Sequence, residues 1–424
     1  MSKPEDFFNY QNGVLHAGEV GIDSIAQKLG TPLYVYSEDA FLTPLKELSA
    51  GLSGLDHLIC FAMKSNSNLA ILKMLSQNGA GMDIVSGGEL FRVMKAGVAP
   101  SKVVFSGVGK TVEEMKSALA TGIYSFNVES LEELSTLNSI ATAMRTPAHV
   151  ALRFNPDVSA KTHPYISTGL KRNKFGIRGA DILNVAKNLS SLPAIRLRGV
   201  SIHIGSQLTS LSPLNDAFSK TTELLSQLHE ILGQPLEFVD VGGGVGIRYT
   251  KESPPSIAHY TKLIRKHFVG AKKPPIKIVL EPGRSISGNA GALITQVLFR
   301  KSRGKKEFVI VDAAMTELLR PALYGSHHQI VPLKKGDKKS KSIKADLVGP
   351  VCESSDCFAS DYPVPSSIAS GDFMAILSAG AYGFTMSSNY NSRPRPPEVL
   401  VQGKNFRVIR ERETFHDLIR GESL

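Results

Sequence analysis

The sequence predicts an α/β chain with an added β domain: a (β/α)8 TIM-type barrel and a second, mostly antiparallel β domain built from both chain ends. Three observations predict it. From about residue 40, short apolar runs alternate with longer stretches of helical spacing, and strand–helix alternation marks a parallel sheet. Eight such runs fall within roughly 230 residues, a length that suits a closed barrel. After about residue 290 the alternation stops, and strand-like pieces follow one another across turns. The 424 residues leave room for two domains. The expected layout is 1–38 as the N-terminal segment of the β domain, 39–288 as the barrel and 289–424 as the C-terminal β domain. An open doubly wound sheet is the competing arrangement for the alternating part.

The elements follow in order. "TPLYVYSEDAF" near the start is β-like and is placed to join the C-terminal sheet. The eight barrel runs are "HLICFAMK" (57–64), "GMDIVS" (81–86), "KVVFSG" (102–107), "YSFNVES" (124–130), "HVALRFNP" (149–156), "LRGVSIHIGS" (197–206), "EFVDVGGG" (237–244) and "KIVLEPGR" (277–284). Between them lie segments such as "NLAILKMLSQNG", apolar at helical spacing and closed by Gly79. The later strands are "ALITQVLFRK", "EFVIVDAAM", "KADLVGPVC" and "DFMAILSAG".

Composition is that of a globular protein, 42% hydrophobic and 21% charged. The 49 basic and 38 acidic residues leave a net charge of +11, which raises nucleic acid or membrane as partners. The basic residues are scattered, however. The densest run, "LKKGDKKSKSIK" (333–344), has no interleaved aromatics and reads as a solvated loop. The N-terminus has no apolar signal-like core, and no run of 18 apolar residues occurs. Cys60, Cys352 and Cys357 are too few and too unevenly spaced for a disulfide framework or a zinc site, and suit a reducing cytoplasm. The expected partner is a small molecule, with no nucleic acid and no membrane.

Active sites of such barrels lie at the carboxyl ends of the strands. The ends of the eight runs carry Lys64, Asp83 with Ser86, Ser106, Asn127 with Glu129, Arg153 with Asn155, His203 with Ser206, Gly242 to Gly244, and Glu281 with Arg284. Lysine is seldom buried without a partner, so Lys64 at the end of an apolar run is either a strand end reaching water or a member of this ring. "VGGGVG" is either a plain tight turn or a place where backbone N–H groups cradle a phosphate. A lysine and a phosphate cradle on one barrel suggest a phosphorylated cofactor held as a Schiff base. Pyridoxal phosphate further needs an acid at its ring nitrogen and a flat partner on one face; Glu281 and His203 match in kind.

At this point the sequence resembles the diaminopimelate decarboxylase family of barrel-type pyridoxal-phosphate enzymes, whose relatives include ornithine and arginine decarboxylases. The resemblance covers nearly the whole chain. It rests on "FAMKSN", "DIVSGGEL", "THPYISTGLKRNKFGI", "HIGSQ", "DVGGGVGI", "EPGRS", "RPALYG", "GPVCESSD" and "AGAYGFTMSSNYNSRPRP". It implies that Lys64 holds the cofactor covalently, His203 stacks on its ring and Glu281 pairs with the ring nitrogen. It assigns the phosphate to Ser206, Gly243, Gly244, Gly283, Arg284 and Tyr382. It assigns the substrate to Arg284, Arg320, Tyr324, Glu353 and Tyr382, and the proton donation to Cys352. It also implies a homodimer whose partner supplies the Cys-Glu pair, and no metal.

The implied reaction is loss of CO2 from the D-centre of meso-2,6-diaminopimelate to give L-lysine. Arg320 argues for this substrate, because arginine grips a carboxylate with two parallel bonds and ornithine has no second carboxylate. Glu353 follows Cys352 where ornithine-type relatives have Asp. The alternatives are a decarboxylase of ornithine or arginine, a silent cofactor-binding regulatory relative and, less favoured by "GPVCES" and "HIGSQ", an amino-acid racemase. Two departures from the family pattern stand out: Ala314 and Thr316 replace the commoner Gly and Asn, and "SHHQI" (326–330) replaces a Tyr-His-Glu run. Neither falls on an expected ligand, so they are expected to touch only fine specificity. Cys60 is expected in the core and Cys357 to be structural.

Overall fold

The computed structural model describes residues 3–159, 174–270, 274–335 and 341–424. Residues 160–173, which hold most of the "THPYISTGLKRNKFGI" run, and the middle of the basic loop at 333–344 lie outside the described residues. The chain forms two compact units. One comprises mainly Thr43–Ile247 and Ser253–Ser285; the other comprises Ser2–Leu42, Arg248–Glu252 and Ile286–Leu424.

The first unit is a closed parallel barrel of β1 (His57–Ala62), β2 (Gly81–Ile84), β3 (Val103–Phe105), β4 (Ser125–Val128), β5 (Ala148–Arg153), β6 (Ile195–Ser201), β7 (Phe238–Asp240) and β8 (Lys277–Leu280). Closure is made where Ile278, Val279 and Leu280 of β8 pair with His57, Leu58 and Ile59 of β1, which excludes the open sheet. Local sequence starts the connecting helices where expected. Thr111 accepts the Glu114 N–H while the Glu114 carboxylate accepts from Thr111, a reciprocal cap on helix Val112–Thr121. Gly122 then ends that helix in the left-handed region.

The barrel interior is layered by the two-residue period of its strands. Leu58 and Cys60 of β1, Val104 of β3, Ala151 of β5, Phe238 of β7 and Val279 of β8 form one apolar floor. Cys60 is fully buried in it. Phe238 fits because Gly199 faces its ring: a Cβ at residue 199 would lie 2.7 Å from a ring carbon.

The second unit is organised by the long strand Gly291–Arg303. It pairs antiparallel with Leu33–Ser37, Phe373–Ile376 and Lys306–Val311. Leu33–Ser37 lies between it and Glu398–Gln402, the latter parallel, so both chain ends build one sheet. Lys306–Val311 and Ser342–Val348 are the other parallel pair among the described strands of this sheet. Alternate residues Leu33, Val35, Ala292, Ile294, Val399 and Val401 share a core with Phe8 and Leu15 of a small N-terminal sheet. Glu317 is buried just before helix Arg320–Tyr324. Its carboxyl accepts from the Ala314 N–H and the Thr316 hydroxyl, and burial pushes its pKa up to about 7.

Two outcomes follow for stability. Phe238→Ala is expected to cost about 3–5 kcal/mol, read from the urea midpoint of unfolding. The folded-state pKa of Glu317 lies above its ordinary value, so its contribution is full below about 4.5 and is lost as pH rises through about 7. Glu317→Gln is therefore expected to flatten the pH dependence of thermal stability across that window relative to the parent chain.

Candidate active site

Two residues beyond the apolar floor, the same inward positions turn polar. Val104 gives way to Ser106, Ala151 to Arg153, Phe238 to Asp240 and Val279 to Glu281, and Asp83 and Asn127 join them from β2 and β4. All six of these polar residues are buried. Lys64 stands in a short turn, Met63–Ser65, that continues β1. Its Nζ donates to Asp83 Oδ2 at 2.6 Å, and its side chain is 39% exposed while that of Asp83 is closed off.

A second lysine behaves differently. Lys110 Nζ donates to the carbonyls of Gly107 and Asn127, each at 2.8 Å, and to Glu133 Oε1 at 2.7 Å. Its side chain is 0% exposed, and it ties the end of β4 to the turn after β3.

His203 follows β6 and is half-buried. Desolvation, with the nearby Arg153 and Lys64 cations, pushes its pKa well below the usual histidine range. Its Nδ1 accepts the Gly243 N–H at 3.3 Å, so the neutral ring carries its proton on Nε2. Arg153 is fixed by Glu129 at 2.6 Å and donates to the His203 carbonyl. The triple glycine after β7 is needed as it stands: Cβ atoms at Gly242, Gly243 and Gly244 would each lie 2.2 Å from a neighbouring carbonyl oxygen. Gly242 and Gly244 also have positive φ. Beside this turn Arg284, buried, reaches the Ser206 hydroxyl through Nε and Nη2, each at 3.4 Å.

Glu281 Oε1 accepts from Ser106 Oγ and Asn127 Nδ2, both at 2.9 Å. Burial, reinforced by Asp240 and then Asp83, holds its pKa well above the carboxylate range.

In the other unit, Arg320 and Tyr324 share the helix Arg320–Tyr324. Arg320 is buried, with its guanidinium 4.7 Å over the Tyr249 ring. Its Nη2 donates to Ser326 Oγ at 3.2 Å, and its Nη1 lies 3.0 Å from His328 Nε2. His328 Nδ1 lies 2.9 Å from the Leu377 carbonyl, which can only accept, so Nδ1 carries the proton and Nε2 accepts from Arg320. Cys352 and Glu353 are exposed on the loop after Ser342–Val348. The Asp356 carboxylate anchors that loop by accepting the Met315 and Val351 N–H groups at 2.6 and 2.8 Å. The Cys352 N–H donates to Asn391 Oδ1. Tyr382 is half-buried with φ +56°.

The structure thus groups Lys64, His203, Ser206, Gly243, Gly244, Glu281, Gly283 and Arg284 at the carboxyl ends of the barrel strands, and holds Arg320, Tyr324, Cys352, Glu353 and Tyr382 on the β unit. The structure adds to three sequence readings. Ser326 and His328 belong to the departing "SHHQI" run, and both hydrogen-bond Arg320, so that departure touches an expected ligand without falling on one. The Ser86 hydroxyl caps helix Gly87–Lys95 by accepting the Glu89 N–H, and Asn155 bonds the Phe175 carbonyl and the Asp157 N–H; both serve local structure. Asp240 is missed because an acid inside "FVDV" reads as part of a strand; its signal is an acid two residues after the inward Phe238.

The barrel end offers a glycine cradle beside Arg284 and two buried acceptors, Asp83 Oδ1 and Asn127 Oδ1, without a partner. Those features suit a flat ring with polar edges and an anionic tail. The family model for the pyridoxal binding domain of pyridoxal-dependent decarboxylases matches residues 43–288. The diaminopimelate decarboxylase of Pseudomonas fluorescens is 47% identical over 420 residues, 99% of each chain. That of Vibrio cholerae is 46% identical over 420 residues, again 99% of each. The structure of the Helicobacter pylori diaminopimelate decarboxylase complexed with L-lysine aligns with TM-score 0.89 and 42% identity, covering 94% of this chain and 98% of that one. The M. jannaschii enzyme in complex with L-lysine aligns with TM-score 0.91 and 36% identity, covering 99% and 98%. A barrel with this lysine, this cradle and this full-length kinship makes the chain a member of the diaminopimelate decarboxylases, within the pyridoxal-dependent decarboxylase family.

Proposed function

We propose that the chain is a pyridoxal-phosphate-dependent carboxy-lyase that removes CO2 from the D-centre of meso-2,6-diaminopimelate, giving L-lysine in the last step of lysine biosynthesis. The carrying observation is the polar ring above the barrel floor, with Lys64 paired to buried Asp83, in a chain of this kinship. Pyridoxal phosphate, when bound, supplies an electron sink for the pair left behind by CO2.

The chain's own residues then take these roles. Lys64 holds the cofactor covalently, and Asp83 keeps its amine at the end of β1. Neutral His203 presents a flat face with no charge of its own. Glu281 faces the ring nitrogen. Ser206, the N–H groups of Gly243, Gly244 and Gly283, and the Arg284 guanidinium receive the phosphate, with Tyr382. Arg320 grips the distal carboxylate, with Arg284, Tyr324 and Tyr382 as further substrate contacts, and Glu353 meets the distal ammonium. Cys352 returns a proton to the carbon that lost CO2, a task suited to a thiol, which titrates not far from neutral pH. Cys352 and Glu353 are exposed on an anchored loop, which supports a homodimer in which each copy offers this pair to the other. Three free cysteines support a cytoplasmic setting.

The test is CO2 release and lysine formation from meso-diaminopimelate by the cofactor-loaded chain, with ornithine and arginine in parallel. Turnover confined to diaminopimelate is expected; turnover of either other substrate instead overturns the reading. Arg320→Ala is expected to lower kcat/KM by about 2–5 kcal/mol, or roughly thirtyfold and more. His328→Ala removes a hydrogen bond to that charge and is expected to cost about 1.5–3 kcal/mol in kcat/KM, with Ser326→Ala costing less. Both variants should retain the cofactor as the parent does, read from its absorbance.

A further inference from the structure

Asp240 and Glu281 are two acids in one buried layer. Asp240 is wholly enclosed and Glu281 is 9% exposed. One side-chain amide joins them: Asn127 Nδ2 lies 2.9 Å from Asp240 Oδ2 and 2.9 Å from Glu281 Oε1. The other Asp240 oxygen accepts the Gly242 N–H at 2.9 Å, and Ser106 donates to Glu281. Two carboxyls held on one nitrogen, away from water, do not both ionise. Asp83 adds to the upward push on both acids, and Lys64, the cation that opposes it on Glu281, is already matched by Asp83. Cys60 and Tyr260, the other titratable groups facing the pair, are kept neutral by burial and by these same acids. Both carboxyls are pushed upward, first by desolvation and then by their nearness to other acids, and they meet on the one Asn127 amide.

We propose that Asp240 is a positioning residue for Glu281: the two acids, clamped by Asn127, hold a single proton between them, and Asp240 takes that proton when a cationic ring nitrogen faces Glu281. No atom is gained or lost. The proton leaves the Glu281 oxygen for the Asp240 oxygen, and Glu281 becomes the anion. This inference rests on the reading of Glu281 as the partner of the cofactor's ring nitrogen.

The test is infrared difference spectroscopy on the full chain at neutral pH, following the C=O stretch of a protonated carboxylic acid. Glu89 and Glu317, whose pKa values lie near 7, contribute equally to parent and variant and cancel. Without cofactor, the parent is expected to show an acid band that is missing from both Asp240→Asn and Glu281→Gln. Reloaded with pyridoxal phosphate, the parent keeps one acid band at a shifted frequency, and Asp240→Asn has none. A band that survives in Asp240→Asn would falsify the shared proton, because burial alone would then protonate Glu281. A parent band that vanishes on loading overturns the transfer. Should Asp240→Asn not fold, the Glu281→Gln spectrum and the loading step of the parent still decide. A separate arm probes the underlying reading, using the analogue in which CH replaces the ring nitrogen. Glu281→Gln is expected to lose the parent's preference for pyridoxal phosphate over this analogue. An unchanged preference removes Glu281 from the ring nitrogen but leaves the infrared result on the acid pair intact.

Discussion

Inward positions on a barrel strand recur every two residues, and the closed register of β8 on β1 fixes which residues point inward all the way round. That constraint turns one apolar floor and one polar layer into neighbours. Phe238 and Asp240, or Val279 and Glu281, differ by a single step along the strand. A slip of one residue would bury neither set correctly. The dry floor is also what gives the polar layer its character, since charges just above it are poorly solvated.

Poor solvation explains the pairing pattern. Arg153 has Glu129, Lys64 has Asp83 and Lys110 has Glu133. Burial removes charge elsewhere: His203 is neutral, and the upward push on Glu281 and Asp240 leaves room for one negative charge between them. The β unit solves the same problem for Arg320 with neutral acceptors, Ser326 and His328, together with the face of Tyr249.

Much of this was legible in the sequence, and the physical reasons differ by feature. The eight barrel strands were readable because each is a short apolar run bounded by a helix cap or glycine. Lys64, His203, Glu281 and Arg284 were readable because they follow such runs. The N-terminal strand Leu33–Ser37 was readable as β, but its place between strands more than 250 residues away depends on pairing, which sequence spacing does not encode. Asp240 was hidden by lying inside its strand. Ser326 and His328 were hidden because their importance comes from a side chain on a preceding helix, reached only after the chain turns at Gly325. Ser86 and Asn155 stand at strand ends as read, and the structure adds a helix cap and local hydrogen bonds to them, which a run of sequence does not display.

The contrast between the two barrel lysines bears on chemoselectivity. An amine adds to an aldehyde through its free lone pair, which requires a proton to leave and a carbonyl to approach. Lys110 has all three N–H bonds committed and no exposed surface. Lys64, with the same functional group, keeps 39% of its side chain accessible. Of these two amines the fold seals Lys110 from an entering carbonyl and leaves Lys64 within its reach.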